Sequence, residues 1–428
     1  MKRHAQVLAI VLVAALAGCA RRGGPVTIRF WAMGREGEVV SELVRDFERG
    51  HPGVRVRVQQ IPWSAAHEKL LTAYVGNATP DLAQLGNSWI PEFAALNALA
   101  PLDQRIARST VVGPAHDFPG IWAGNVVDGV TYGVPWYVDT RVLFYRRDLL
   151  RAAGYDRMPS TWAGWRAAMR AVRARSGNAR YAIFLPVNEW AQPVILGLQA
   201  GSPMLRDHDT RGAFSEPEFR RAFDFLLELY RERLAPPISA NEIANAYQEF
   251  GRGTFAMWIT GPWQLGEFAS RLPPELQNAW DTAPLPGPDG DSTGVSLAGG
   301  SSLVLFRGSK HADLAWQLAE FLSRPDQQVR FWRLTGDLPA RREAWNDTAL
   351  VADRRMQAFR TQLQRIGLTP MIPEWEAIAT RVLEHTETAA RGAVTPEAAL
   401  AALDKDVDLL LEKRRWLLAR AAVRGAHP

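Results

Sequence analysis

Val26-Thr27-Ile28-Arg29-Phe30-Trp31 opens a segment, closing at Trp89, in which strand and helix patterns alternate, and that alternation decides the fold. The six residues alternate and carry β-branched side chains, which predicts a strand that ends at Gly34. From about Glu38 the spacing of Val39, Val40, Leu43, Val44 and Phe47 predicts one apolar helix face, stopped by His51-Pro52-Gly53. Val54, Val56 and Val58 alternate with Arg55 and Arg57 as a second strand. A helical stretch closes over Leu70–Tyr74 before Pro80-Asp81, and Leu82–Leu85 reads as a third strand leading into Gly86-Asn87-Ser88-Trp89. Strand, helix, strand, helix, strand is the pattern of a parallel sheet with helices on its faces. Ligands of such sheets sit beyond the carboxyl ends of the strands, so Trp31–Glu38 and Gly86–Trp89 are expected at one mouth.

A second α/β unit follows. Gly133-Val134-Pro135-Trp136-Tyr137 leads into Leu143-Phe144-Tyr145, and Pro159-Ser160-Thr161 opens a helix whose Trp162, Trp165, Met169 and Val172 share a face. Ser215-Glu216-Pro217-Glu218 has the form of a capping box ahead of Phe219, Ala222, Phe223, Leu226, Leu227 and Tyr230. Phe255–Ile259 is a strand broken by Gly261-Pro262-Trp263. Residues 284–294 form a Pro/Gly-rich connector expected to face solvent. Gly299-Gly300 precedes the apolar run Leu303–Phe306, Ala315, Leu318, Ala319 and Leu322 mark another helix, and the C-terminal third is helical through Leu400, Leu403, Val407 and Leu410.

The 428 residues suit two sizeable domains, and 47% hydrophobic content supplies material for two cores. Lys plus Arg exceeds Asp plus Glu by 50 to 45 without massing on one element, so no nucleic-acid footprint is expected. The single cysteine, Cys19, closes Leu16-Ala17-Gly18-Cys19 behind Lys2, Arg3 and the apolar run Val7–Leu16, which is too short to span a bilayer comfortably. This layout resembles the bacterial lipoprotein signal. The resemblance implies a signal peptide over 1–18, lipidation of Cys19, a linker over 19–25, and tethering to the membrane from outside the cytoplasm.

Beyond the signal, an ordered set of short motifs carries a resemblance over the whole mature chain. Phe47-Glu48 with His51-Pro52-Gly53-Val54, Pro80-Asp81-Leu82, Tyr132-Gly133-Val134-Pro135, Ala152-Ala153-Gly154, Thr161-Trp162, Phe255-Ala256-Met257, Gly261-Pro262-Trp263, Gly299-Gly300 and Leu338-Pro339-Ala340 resemble family 1 extracellular solute-binding proteins, the carbohydrate-binding components of ABC importers. The resemblance implies an α/β, two-lobe, hinged fold of the type II periplasmic-binding-protein kind with the ligand in the cleft. Lobe one is expected over 26–137 plus 303–336, lobe two over 138–302 plus 337–428. It further implies a monomer that delivers a sugar to permease subunits and needs no cofactor. Gly86-Asn87-Ser88-Trp89 and the wealth of tryptophan, sixteen residues, are most similar to the trehalose and maltose group. Glycerol phosphate binders share many segments, and Arg35 or Arg341 on a phosphate would suit them.

A saccharide needs planar aromatics for its C–H faces and fixed amides or carboxylates for its hydroxyls. The candidates are Trp31 with Arg35, Glu36 and Glu38; Asn87 and Trp89; Trp136, Tyr137 and Asp139 at the first expected crossing; Asn188, Glu189 and Trp190; Trp263; the Gly299-Gly300 pair, where backbone approaches something closely; and Arg341. Trp190 and Trp263, flanked by polar or turn residues, rank first among the tryptophans. Asp81 reads as structural, and Trp162, Trp165, Trp316 and Trp332 as packing. A glycosidase would use two carboxylates from Glu36, Glu38, Asp139 and Glu189, but no hydrolase motif accompanies them. Gly294-Val295-Ser296-Leu297-Ala298 lacks the last glycine of a nucleophile elbow. Gly251-Arg252-Gly253-Thr254-Phe255-Ala256 leads into a strand instead of out of one, against a dinucleotide site. The histidines are too dispersed to hold a metal. An anchored scaffold is the third possibility, and it leaves the cleft motifs without a use.

Overall fold

The computed structural model describes residues 24–176, 180–290 and 293–425. The signal stretch 1–18, Cys19 and most of the expected linker lie outside the described residues. β1 (Val26–Met33), β2 (Val54–Ile61), β3 (Leu82–Gly86) and β4 (Val134–Asp139) belong to a first sheet. β5 (Val142–Arg146), β6 (Tyr181–Phe184), β7 (Phe255–Thr260) and β8 (Trp280–Ala283) form a second. β9 (Gly299–Leu305) and β10 (Leu338–Pro339) return to the first.

The first sheet runs β10-β4-β9-β3-β1-β2. β1 is parallel to β2 with Val26 opposite Val54, and parallel to β3 with Phe30 opposite Leu82, as the strand–helix alternation predicts. The sheet as a whole is mixed, because β9 runs antiparallel to both β3 and β4 and β10 antiparallel to β4. The second sheet, β8-β5-β7-β6, is also mixed: β5 is antiparallel to β7 and β8, while β6 and β7 are parallel.

Helix Gly34–Gly50 buries Val39, Val40, Leu43, Val44 and Phe47, and begins a turn earlier than its apolar spacing indicates. Ile28, Phe30 and Ala32 face that helix in one core, while Trp31 and Met33 face helix Trp63–Val75 in another. Side chains of a strand alternate between faces, and this is the reason. Around the second sheet, Trp162, Trp165, Met169 and Val172 bury one face of helix Trp162–Ser176.

Three expectations are corrected. The breakpoints fall inside strands, since Val138–Asp139 stay with β4, Gly299–Ser302 lead β9 and Leu338–Pro339 add an edge to the first sheet. Helix Pro217–Arg231 has no side-chain cap. The backbone N–H groups of Phe214 and Ser215 donate to Asp404 at 2.8 and 2.9 Å, a bond brought from the distant helix Pro396–Leu410. The connector after β8 is partly interior: Leu285 is buried and its N–H donates to Gln362 Oε1 at 2.8 Å.

Candidate functional site

The chain passes from β4 in the first sheet to β5 in the second through Thr140 and Arg141 alone. Beside that crossing lies a cavity of about 540 Å³ bounded by both sheets' surroundings. The exits of β1 and β3 supply Arg35, Glu36 and Gly86–Trp89, the mouth expected from sheet topology. Tyr137 and Asp139 come from β4, with Gly299 and Gly300 of β9 against them. Arg141, Trp190, Trp263, Leu297 and Ala298 close the opposite side.

The floor is a hydrogen-bonded network across four strands and a helix. Tyr137 Oη donates to Glu36 Oε1 at 2.7 Å, and Ser301 Oγ donates to Tyr137 Oη at 3.1 Å. Gln84 Nε2 reaches Glu36 Oε1, Tyr137 Oη and Ser301 Oγ at 3.3, 3.1 and 3.3 Å, while its Oε1 accepts from Met33 N at 2.7 Å. Every member is buried and partnered, so the Glu36 carboxylate is held in one orientation. Burial pushes the Glu36 carboxyl above the usual range, against the Tyr137 hydrogen bond that lowers it. Asp337, also buried, is held well above its usual value by burial first and by the Glu36 charge second. Asp139 forms an ion pair, with Arg141 Nη1 donating to both of its oxygens at 2.7 Å.

Glycine makes the close approaches possible. Gly300 has φ +123°, and a Cβ there would meet Tyr137 O at 2.3 Å; a Cβ on Gly299 would meet Asp139 O at 2.9 Å. On the other wall a Cβ on Gly261 would strike the Trp263 indole at 1.9 Å. The aromatic lining is tied down at its edges: Trp89 meets Trp63 at 5.7 Å and His67 at 5.1 Å, and Trp190 meets Trp375 at 5.8 Å, all edge-to-face. Asn87 Oδ1 accepts from Ser302 Oγ at 3.0 Å, which turns its amide nitrogen into the remaining donor.

Of the residues singled out from sequence, Glu36, Asn87, Trp89, Tyr137, Asp139, Trp190, Trp263, Gly299 and Gly300 line the cavity together with Arg35. Five do not. Trp136 neighbours Tyr137 on β4 and so points the other way, stacked 4.4 Å from Phe331 in the core. Trp31 packs under helix Trp63–Val75, with Lys69 Nζ 5.3 Å from its ring. Glu38, two residues past Glu36 on a helix, falls on the outer face and pairs with Arg35 at 3.0 Å. Asn188 Oδ1 accepts from Ala240 N at 2.8 Å, a loop clasp. Arg341 is buried, donates to the Val111 carbonyl and pairs with Glu343 at 3.2 Å, so it staples two loops.

The lining also contains Trp63, Arg141, Thr335, Asp337 and the run Leu368, Thr369 and Met371, which sequence reasoning missed. Trp63 stands just past the end of β2, so the strand-exit rule extended to that strand would have found it. Asp337 directly precedes Leu338-Pro339-Ala340. Leu368–Met371 carries no local signal and arrives by tertiary packing. Among the described residues no group of His, Cys, Asp and Glu is arranged to hold a metal ion.

Comparison with known proteins gives consistent results. Residues 33–329 match the family described as bacterial extracellular solute-binding protein. The sugar-binding protein MalE of Xanthomonas citri has a solved structure that is 48% identical, covering 92% of this chain and 99% of that one, with a TM-score of 0.88. A lipoprotein from the oleD 5′ region of Streptomyces antibioticus is 28% identical over 88% of this chain and 86% of its own. The diacetylchitobiose binding protein DasA of Streptomyces coelicolor is 23% identical over 79% and 78%.

Proposed function

This chain belongs to the bacterial extracellular solute-binding protein family, and from that premise we propose that it captures a saccharide in the cavity and delivers it to the permease of an ABC importer. MalE and DasA are binding proteins, as the family is, so the chain is a receptor and not an enzyme. The observation that carries the sugar reading is the lining itself. Four tryptophans, Trp63, Trp89, Trp190 and Trp263, surround fixed polar groups, Glu36, Asn87, Asp139 and Asp337, in one hollow. Indole faces match sugar C–H faces, and oriented carboxylates and amides match hydroxyls. The volume of about 540 Å³ falls inside the roughly 300–1,000 Å³ of small-molecule sites.

A gluco-disaccharide such as trehalose or maltose is the ligand we favour, and the 48% identical MalE, a sugar-binding protein, supports a sugar. A glycerol phosphate fits less well. Arg341 lies outside the cavity, Arg35 pairs with Glu38 and Arg141 with Asp139, so a phosphate dianion would face Glu36 and Asp337 without an unpaired buried cation among the described residues. In this reading the two sheets with their helices act as lobes about the Thr140–Arg141 crossing, and the ligand favours the closed form by touching both. The mature chain is anchored through a lipid on Cys19, outside the cytoplasm, and works as a monomer. Titration of the purified protein with a panel of sugars, reading tryptophan fluorescence and then recovering the sugar, tests the function. Saturable change with intact sugar supports it; silence across the panel, or cleaved sugar, overturns it.

A further inference from the structure

A second cavity, of about 330 Å³, lies beside the first, and Met371 lines both. On the first-sheet side the two hollows are lined by one continuous stretch of chain: Ser88 and Trp89 line the first, Pro91 and Ala94 of helix Ile90–Ala95 the second. Val127 and Tyr132, which also line the second cavity, pack against the same core cluster as Trp89. Another wall comes from helix Glu412–Gly425, through Arg414, Leu417 and Leu418. Arg414 Nη1 and Glu374 Oε2 pair there at 3.8 Å, too long for a hydrogen bond. Glu374 Oε2 and Arg414 Nε are both buried without a hydrogen-bond partner among the described residues. The second cavity thus joins apolar walls to unsatisfied polar atoms, a mixture that suits a hydroxyl-bearing ligand.

Met371 stands between prolines in Thr369-Pro370-Met371-Ile372-Pro373, and Ile372 is buried in the core of the second sheet. Two prolines restrict the backbone and Ile372 pins it, so trimming Met371 leaves the loop's course in place. The Met371 side chain is half-buried, unbranched and without a strong hydrogen-bonding group. We propose that Met371 is a specificity-determining residue: it closes the saccharide cavity against the second one and so limits the ligand to a short saccharide. A glucan chain that grows from the first cavity toward Met371 meets the thioether before it reaches the polar atoms of the second. Such rejection comes from a clash and not from a missing contact, so trimming one side chain removes it.

The inference rests on the saccharide reading, and its test separates the two. Calorimetric titration of the full-length protein with maltose and with maltotetraose gives the ratio of their affinities. Wild type is expected to bind maltose at least about tenfold more tightly than maltotetraose, the discrimination that a closed pocket wall supplies. Met371→Ala is expected to bring the two within about threefold of each other, while Met371→Leu, which nearly conserves volume, keeps the wild-type ratio. Ala94→Phe, placed in the second cavity and outside the first, is expected to restore the discrimination in the Met371→Ala background. Should Met371→Ala not fold, Met371→Val, which trims the side chain less, is expected to move the ratio in the same direction. A wild type that binds both sugars equally, a ratio unmoved by trimming Met371, Leu as permissive as Ala, or a gain that survives Ala94→Phe overturns the role of Met371. If the wild type binds neither sugar, the saccharide reading fails, and a sugar-free crystal structure of Met371→Ala decides the partition: one continuous hollow supports it, two separate ones overturn it.

Discussion

The Arg141 guanidinium lies 4.4 Å from the centre of the Trp263 ring while it holds both oxygens of Asp139 at 2.7 Å. Arg141 belongs to the crossing between the sheets, Asp139 ends β4, and Trp263 starts helix Trp263–Arg271. A cation thus covers part of the indole and is itself ion-paired, and Gly261 lets the ring fold back against its own turn. The wall is preassembled. A saccharide meets a ring, a cation and a carboxylate whose positions are already set, which lowers the ordering cost of binding.

Trp190→Ala and Trp263→Ala are each expected to lose about 1–3 kcal/mol of sugar affinity, because an indole face is removed from the lining. Both rings are half-buried at the cavity, so the fold is expected to persist. Calorimetric titration with maltose, alongside circular dichroism, measures this. Wild-type affinity in both variants refutes the assignment.

Asn87→Ala is expected to change the ranking among sugars that differ in one hydroxyl. Its Oδ1 is occupied by Ser302 Oγ, so the amide nitrogen is the group left to meet a particular hydroxyl. A hydroxyl left unpaired in a dry cleft costs about 1–3 kcal/mol. Equal weakening across epimers would mean that the side chain only packs.

Asp117→Asn is expected to stabilise the protein at pH 8 more than at pH 4. Asp117 faces Arg341 in an isolated antiparallel bridge, its Oδ1 has no partner, and burial pushes its carboxyl up to about 8 against the opposing Arg341 charge. The folded protein therefore holds a proton that the unfolded chain releases near 3.8. Its contribution is fully present below that value and is lost as pH climbs to about 8. Scanning calorimetry across this window reads the difference. An equal Tm shift at both ends contradicts the buried, protonated Asp117.

Cys19→Ser is expected to move the protein from the membrane fraction to the soluble one, since no helix among the described residues is long and apolar enough to cross a membrane. Fractionation followed by immunoblotting checks it, and retention in membranes rules out a lipid anchor at that thiol.

Much of the fold was legible because Val26–Trp89 encodes it locally: alternation for β1 to β3, and helical spacing in Val39–Phe47 between turn residues. The antiparallel return of β9 and β10 was not legible, since pairing partners 160 to 223 residues apart leave no mark in either segment. The site divided along the same line. Strand exits pointed to Glu36, Asn87 and Trp89 and the expected crossing to Asp139, whereas strand alternation, applied strictly, separates Trp136 from Tyr137 and sends only the latter to the cavity. Arg341 misled because it follows Leu338-Pro339-Ala340, a motif whose resemblance implies a cleft loop, and only the buried bonds to Val111 and Glu343 reveal a staple. Leu368, Thr369 and Met371 reach the cavity from the loop ahead of helix Trp375–Ala390, which no spacing announces.

A crystal structure of the protein saturated with maltose tests the central claim most directly. The account predicts one intact disaccharide between the two sheets, its hydroxyls on Glu36, Asn87 or Asp337 and a pyranose face against Trp63, Trp89, Trp190 or Trp263. Sugar bound elsewhere, or a cavity that stays empty at saturation while trehalose also fails to enter, would contradict it.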